Sequence, residues 1–310
     1  MASSVSQGKE TLEVTHALSP PQKRIGILAG WGRYPIVVVE ALRAQGYWIA
    51  CLGIKDHADP RLQEICDEYK EVGLGKLGTA IRYFRNLGVT RATMAGKIHK
   101  TRLFVRFLWL KHIPDWRCIR TFYPHWVTKT ADRKDDTLLK AVVDAYAEDG
   151  IEFKPATDFA PELLVQPGPL NGRKLSKAQQ KDVEFGWRLA KEMGRLDVGQ
   201  SVAVMGRAVL AVEAVEGTDQ CIRRAGKLCA QGGFTVVKVA KPQQDMRFDV
   251  PTIGIGTLES LVAAGGSVLA IEASKTIVID QDEVIEFANR HKLTIVALHD
   301  EAVDAMADAA

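Results

Sequence analysis

No run of 18 apolar residues occurs in this chain, so the sequence contains no candidate membrane-spanning helix. Residues 1–22 have no apolar core of the kind a secretory signal carries. They are polar, end in Pro20-Pro21 and read as a loose tail. The five cysteines (Cys51, Cys66, Cys118, Cys221, Cys229) form no C-x-x-C pair, and so odd and scattered a set suits reduced thiols in the cytoplasm. The seven histidines make no H-x-H or H-E-x-x-H pair, which argues against a histidine-built zinc or two-metal site. Charge is also scarce in net terms. An excess of only +3 means that the surface as a whole is not built to neutralise a polyanion. There is no internal repeat and no low-complexity block.

What is present is enough apolar material for two ordinary domains: 310 residues, 46% hydrophobic and 25% charged. In the first half strands and helices alternate. "RIGILAG" and "YWIACLGI" read as strands, "YPIVVVEALRAQG", "DPRLQEICDEYK" and "KLGTAIRYFRNLG" as helices, and "VTRATMAGKI" as a further strand. That rhythm predicts a parallel sheet covered by helices. "DDTLLKAVVDAYAEDG" reads as a helix opened by acids. The Pro- and Gly-rich stretch "ATDFAPELLVQPGPLNGRKLS" is the best linker. A long helix from about Lys177 follows, then a hairpin around Gly206-Arg207, and then strands and helices to "LTIVALH". The expected layout is a tail (1–22), a Rossmann-like parallel-sheet α/β domain (23–165), a second α/β domain carrying the catalysis (166–300) and a frayed end (301–310).

Two loops carry the chemistry. Gly30 and Gly32 fit the first two positions of G-x-G-x-x-G, but Pro35 stands at the third, and Asp56 is a poor candidate for the ribose-binding acid. The turn still offers free N–H groups at a helix N-terminus, with Arg33 beside them, so three readings stay open: a dinucleotide site, another phosphate site, or a plain strand-to-helix turn. In "VVKVAKPQQDMRFDVPTIG" an apolar strand ends in Lys238, Lys241, Asp245, Arg247 and Asp249. If 245–249 is extended, its three charged side chains share one side. Carboxylates beside cations suit a phosphate site with Mg²⁺, and equally an ordinary ion-paired loop. "VEAVEGTD" adds Glu213, Glu216, Thr218 and Asp219, where Thr218 or Asp219 could simply cap the next helix. From Lys97 to Lys134, ten lysines and arginines stand against two aspartates with seven large aromatics interleaved. Phe104, Phe107, Leu108 and Lys111 there give an apolar helical face with cations beside it. That stretch suits nucleic acid, an anionic membrane, an anionic amphiphile or a core-facing helix with a basic outer face.

The glycine turn with Arg33 and Pro35, then "MAGKI", "DDTLL", "LDVGQSVAV", "AVEAVEGTD", "RRAGKL", "VVKVAKPQQDMRFDVPTIG" and "IEASKTIVID", occur in this order in one bacterial family. Over residues 23–298 the chain resembles the two-domain UDP-2,3-diacylglucosamine pyrophosphatases of lipid A biosynthesis, which lack the histidine-rich metallophosphoesterase motif. The resemblance implies a Rossmann-like first domain, an unusual α/β second domain, a homodimer, and a lipid-linked UDP-sugar in the cleft between domains. It implies Mg²⁺-dependent (or Mn²⁺-dependent) release of UMP and 2,3-diacylglucosamine 1-phosphate, with the family's key acid at Asp245. The site expected on that basis has Asp245, Lys238, Lys241 and Arg247 as catalytic residues. Gly30, Gly32, Arg33, Gly96, Thr218 and Arg223 are its substrate contacts, and Asp245, Asp219 and Glu213 hold the metal, with Asp249 a possible helper. The location implied is cytoplasmic, with peripheral contact at the inner membrane and no nucleic acid. Trp31 stands where the family usually has another glycine, and the basic aromatic stretch is bulkier than the family pattern. Two other classes remain in view: a nicotinamide-dependent reductase using Gly30–Pro35, and a non-enzymatic basic module using Lys97–Lys134.

Overall fold

The computed structural model describes residues 23–98, 113–126 and 135–308. The amino-terminal tail, the Phe104–Lys111 face and the rest of 99–112 and 127–134 lie outside the described residues. Strand β1 (Arg24–Ala29) is buried along nearly its whole length. A strand with no polar alternation belongs inside a sheet covered on both faces, and β1 lies there, parallel to β2 (Trp48–Ile54) on one side and to β4 (Arg91–Ala95) on the other. β3 (Glu68–Val72) and β5 (Glu152–Phe153) complete an all-parallel sheet of order β3-β2-β1-β4-β5.

Helices α1 (Tyr34–Ala44), α2 (Leu62–Ile65), α3 (Leu77–Asn86), α4 (Trp116–Trp126) and α5 (Asp135–Ala147) accompany the sheet. On one face Ile25 and Ile27 meet Ile36, Val39 and Leu42 of α1. On the other, Ala50 and Leu52 meet Ile81 and Phe84 of α3 and Tyr146 of α5. Each aliphatic side chain buried in this way contributes roughly 1.5–3 kcal/mol, so the two layers fix the sheet before any polar contact is counted. The helix expected across Asp59–Lys70 is cut short: α2 is four residues long and the chain then enters edge strand β3. Asp67 makes the difference, because its N–H donates to Ile49 O (3.1 Å) and its carboxylate accepts from Ile49 N (2.8 Å). Pairing with β2 overrides local helix preference.

The linker stretch holds the short helix α6 (Ala156–Phe159), a 3₁₀ turn and β6 (Gly168–Pro169). Within it Leu163 packs with the first domain's core and Val165 with the second's. The second domain has α7 (Lys177–Arg195), β7 (Ser201–Met205), β8 (Ala208–Val212), α8 (Thr218–Leu228), β9 (Thr235–Lys238), β10 (Thr252–Ile253), α9 (Ile255–Ala263), β11 (Val268–Glu272), β12 (Ile277–Val278), α10 (Gln281–Arg290), β13 (Thr294–Leu298) and α11 (Asp300–Asp308). Its main sheet is mixed, with order β6-β13-β11-β9-β7-β8, and β9, β11 and β13 run parallel at its centre. The hairpin at Gly206-Arg207 is present: both residues are left-handed, and Asp182 accepts both of their N–H groups (3.0 and 2.6 Å). The short β12 pairs in parallel with β10 rather than folding back on β11. The frayed end expected from residue 301 is instead helix α11. Val303 is buried there, and Asp300 accepts from the Trp187 indole at 2.7 Å.

Gly96, just past β4, has φ +94°, and a Cβ there would fall 2.8 Å from both Gly30 C and Pro35 Cγ. Gly46 is also left-handed, at φ +78°, but has open space around it. Gly96→Ala is therefore expected to cost about 3 kcal/mol, and Gly46→Ala about 1 kcal/mol. Denaturant unfolding of the two variants checks this, and equal losses would show that crowding at Gly96 is relieved by movement.

Candidate active site

In a doubly wound sheet the ligand crevice opens at the carboxyl ends of the strands where their order reverses. Here those strands are β1 and β4. The turns leaving them are bonded through their backbones: Gly30 N donates to Ala95 O (2.8 Å), Trp31 N to Lys97 O (2.8 Å), and Lys97 N to Trp31 O (2.9 Å). A Cβ on Gly30 would lie 2.8 Å from Lys97 O. Gly30 and Gly96 are therefore glycine because two backbones meet there. Pro35, in the place of the third motif glycine, packs its ring into the space that Gly96 leaves. Gly32 differs: it has φ +107° with nothing near its missing Cβ, so it serves the turn and keeps one wall open. The indole of Trp31 is half exposed beside it.

Arg33 crosses to the other domain. Its Nε and Nη2 donate to the Asp280 carboxylate (3.1 and 3.2 Å), and its Nη atoms reach Glu40 at 3.3 Å. Donation to the Asp280 carboxylate holds the guanidinium pKa above its ordinary value. Arg33 is thus an interdomain tie in this structure.

The charged loop after β9 is a turn and not an extended segment. The Asp245 carbonyl accepts from Phe248 N (3.3 Å) and Asp249 N (3.0 Å). This curvature, rather than strand alternation, brings Asp245 and Arg247 together. The Asp245 carboxylate accepts from Arg247 N (3.1 Å), Nε (2.9 Å) and Nη2 (2.5 Å). These bonds lower the Asp245 pKa, and Lys140 of α5 adds to the effect. Phe248, one residue on, packs against the first domain's core cluster that contains Leu52, Phe84 and Tyr146. The loop therefore starts on one domain and ends its apolar reach on the other. Its near end is pinned by Glu272, a carboxylate only 2% exposed, which accepts from Ala240 N (2.8 Å), Lys191 Nζ (2.7 Å) and Lys275 Nζ (2.8 Å). Lys241 pairs with Asp197 at 2.8 Å, and Gln243 donates to Gly194 O at 3.0 Å.

Lys238 has a different setting. Its buried ammonium donates to Thr218 Oγ1 and to Thr252 O, both at 3.1 Å. Thr218 donates in turn to Glu213 Oε1 (3.1 Å), and Ser201 Oγ lies 3.3 Å from the same hydroxyl. Loss of hydration lowers the Lys238 pKa, the Glu213 carboxylate opposes that fall, and like charge on Lys97 adds to it, with Asp219 and Asp249 opposing. Lys97 belongs to the first domain, so a charge of the switch-point turn bears on the end of β9. Neither Thr218 nor Asp219 caps α8, since Gly217 takes that position. Arg223 is exposed on α8, while its neighbour Arg224 holds Val212 O and Glu216.

Among the described residues no group of three or more His, Cys, Asp or Glu side chains could hold a metal ion. Asp245 is engaged by Arg247, Glu213 lies buried under Thr218, and Asp219 is exposed on the first turn of α8. Asp280, Phe248, Ser201 and Glu272 went unread in the sequence. A lone acid closing the apolar strand "VLAIE" was the signal for Glu272, and an aromatic inside a charged loop was the signal for Phe248.

Comparison with known proteins gives the family. Residues 24–163 match the model of the LpxI N-terminal domain, and residues 166–296 match that of the LpxI C-terminal domain. The UDP-2,3-diacylglucosamine pyrophosphatase LpxI of Caulobacter vibrioides is 30% identical over 276 residues, covering 86% of this chain and 94% of the relative.

The folded Asp245 pKa is depressed, so its pairing stabilises the protein above the free carboxylate value of about 3.9 and is lost as pH falls through the lower folded value. Asp245→Asn should therefore lower the melting temperature at pH 6 and lower it less at pH 3. A gap that does not narrow would show that the carboxylate charge is not what Arg247 holds.

Proposed function

Since the chain belongs to the LpxI family along both of its domains, we propose that it hydrolyses the diphosphate of UDP-2,3-diacylglucosamine in lipid A biosynthesis. The products are UMP and 2,3-diacylglucosamine 1-phosphate. The reading is carried by the ordered match to both family domains, joined to a relative whose name states this activity. Water adds to one phosphorus while the bridging P–O bond breaks, so each half leaves with one phosphate. Asp245 orients that water with a carboxylate that Arg247 holds ionised and in place. Lys238 and Arg247 stabilise charge growing on the phosphate oxygens, as preorganised cations in a dry crevice do best. Lys241, tied to Asp197, holds the loop in place. Gly32 leaves room for the nucleotide beside Gly30 and Gly96, and Arg33, Thr218 and Arg223 contact it at the rim.

The donors fit a divalent cation, Mg²⁺ with Mn²⁺ as substitute. Glu213 Oε2 is buried without a hydrogen-bond partner, and Asp219 and Asp249 bear on the same ammonium. Mg²⁺ takes few protein oxygens where phosphate supplies the rest, so a preformed three-carboxylate cluster is not required. Of the expected set Glu213 and Asp219 would hold the ion, which when bound would neutralise diphosphate charge, while Asp245 stays with Arg247. The enzyme works in the cytoplasm as a homodimer, in peripheral contact with the inner membrane. No helix among the described residues is long and apolar enough to cross a membrane.

Purified protein with Mg²⁺ and UDP-2,3-diacylglucosamine should release UMP, and its failure to do so would remove the function. Asp245→Ala is expected to lower kcat by about 10²–10⁴-fold. Lys238→Met should lower it by about 10²-fold with KM little changed. Full activity in folded Asp245→Ala would remove the catalytic assignment alone.

A further inference from the structure

Helix α4 is fastened to the first domain along one side only. Asp115 accepts from Cys118 N (3.0 Å) at the start of α4 and from Thr79 N (3.0 Å) at the start of α3, so one carboxylate caps two helices. Arg117 donates to Ala145 O (2.9 Å) and pairs with Glu148 and Asp149. Cys118 and Phe122 pack into the core cluster that also receives Phe248 from the Asp245 loop. The opposite side is apolar and uncovered: Trp116 is 78% exposed, Ile119 43% and Tyr123 48%, with Ile113 at 52% just before the helix. The spacing i, i+3, i+7 sets these three helix residues in one stripe, and Arg120, paired with Glu148 at 3.2 Å, lies exposed beside them.

Trp and Tyr with neighbouring cations are the residues that favour the boundary between lipid headgroups and acyl chains. The stretch of sequence around the stripe, Lys97–Lys134, carries ten basic residues against two acidic ones, which complements an anionic surface rather than a second copy of the same basic stretch. We propose that the outer face of α4, formed by Ile113, Trp116, Ile119 and Tyr123, docks on an anionic lipid bilayer. This rests on the reading above that the substrate carries two acyl chains. Docking there sets the bilayer against the helix whose inner face shares a core with the loop of Asp245, so a lipid leaves the membrane beside the site that cleaves it.

The test uses the full chain and vesicles of phosphatidylglycerol and phosphatidylcholine in equal parts, with pure phosphatidylcholine as control. Wild type should co-sediment with the anionic vesicles, less so as salt rises, and weakly with the control. Trp116→Glu/Tyr123→Glu should lower the bound fraction at least tenfold. Its melting curve and its rate on substrate dispersed in detergent should stay unchanged, while its rate on substrate embedded in vesicles falls. Equal vesicle binding by the variant overturns the proposal. So does a wild type that ignores vesicles but loses its dimer on the double substitution, which would make the face an interface between copies. A wild type that binds vesicles but releases no UMP even in detergent would keep the docking face and remove the enzymatic reading.

Discussion

The site depends first on a buried ammonium. Removing Lys238 from water is costly, and the cost is offset only if several elements arrive together. Thr218 comes from the start of α8, the carbonyl of Thr252 from β10, and Glu213 from the turn after β8. The end of β9, β10 and the stretch from Glu213 to Thr218 are thus tied to one charge. The same charge is sensed by Lys97 on the opposite domain. Placement of a cation at the crevice and closure of the second domain's polar core are one event.

The loop of Asp245 is a second case of shared duty. Glu272 fixes its start, Asp197 and Gly194 hold its flank, and Phe248 hands its far end to the other domain's core. Arg33 and Asp280 add a tie on the other side of the crevice. The relative pose of the domains therefore rests on more than the linker, whose Leu163 and Val165 pack one into each core. It also rests on contacts made by residues at the site.

The parallel first sheet was legible because β1, β2 and β4 are continuous apolar runs separated by periodic helices, and such runs have few other homes. The Gly206-Arg207 hairpin was legible because only left-handed residues close it. What failed did so for tertiary reasons. The segment after Asp59 has helical spacing, yet the Asp67 bonds to Ile49 recruit it as an edge strand. The terminal segment was expected to fray as chain ends do, yet Val303 and Asp300 have partners on α7. In the site, residue types were readable and their pairing was not. Alternation along an extended chain was expected to align Asp245, Arg247 and Asp249, whereas a tight turn joins the first two. Lys238 and Lys241, three residues apart, have unrelated partners. Asp280 could not be found from spacing, since it meets Arg33 from 247 residues away.

The first residues of the turn after β1 are joined to the turn after β4 through main-chain atoms. Gly30, Trp31 and Lys97 exchange N–H and carbonyl groups, and the close packing beneath involves Gly96 and the ring of Pro35. None of these contacts reads the side chain at position 31. A backbone clamp therefore fixes where residue 31 stands, and the main chain that joins the two strand ends presents its indole on the rim.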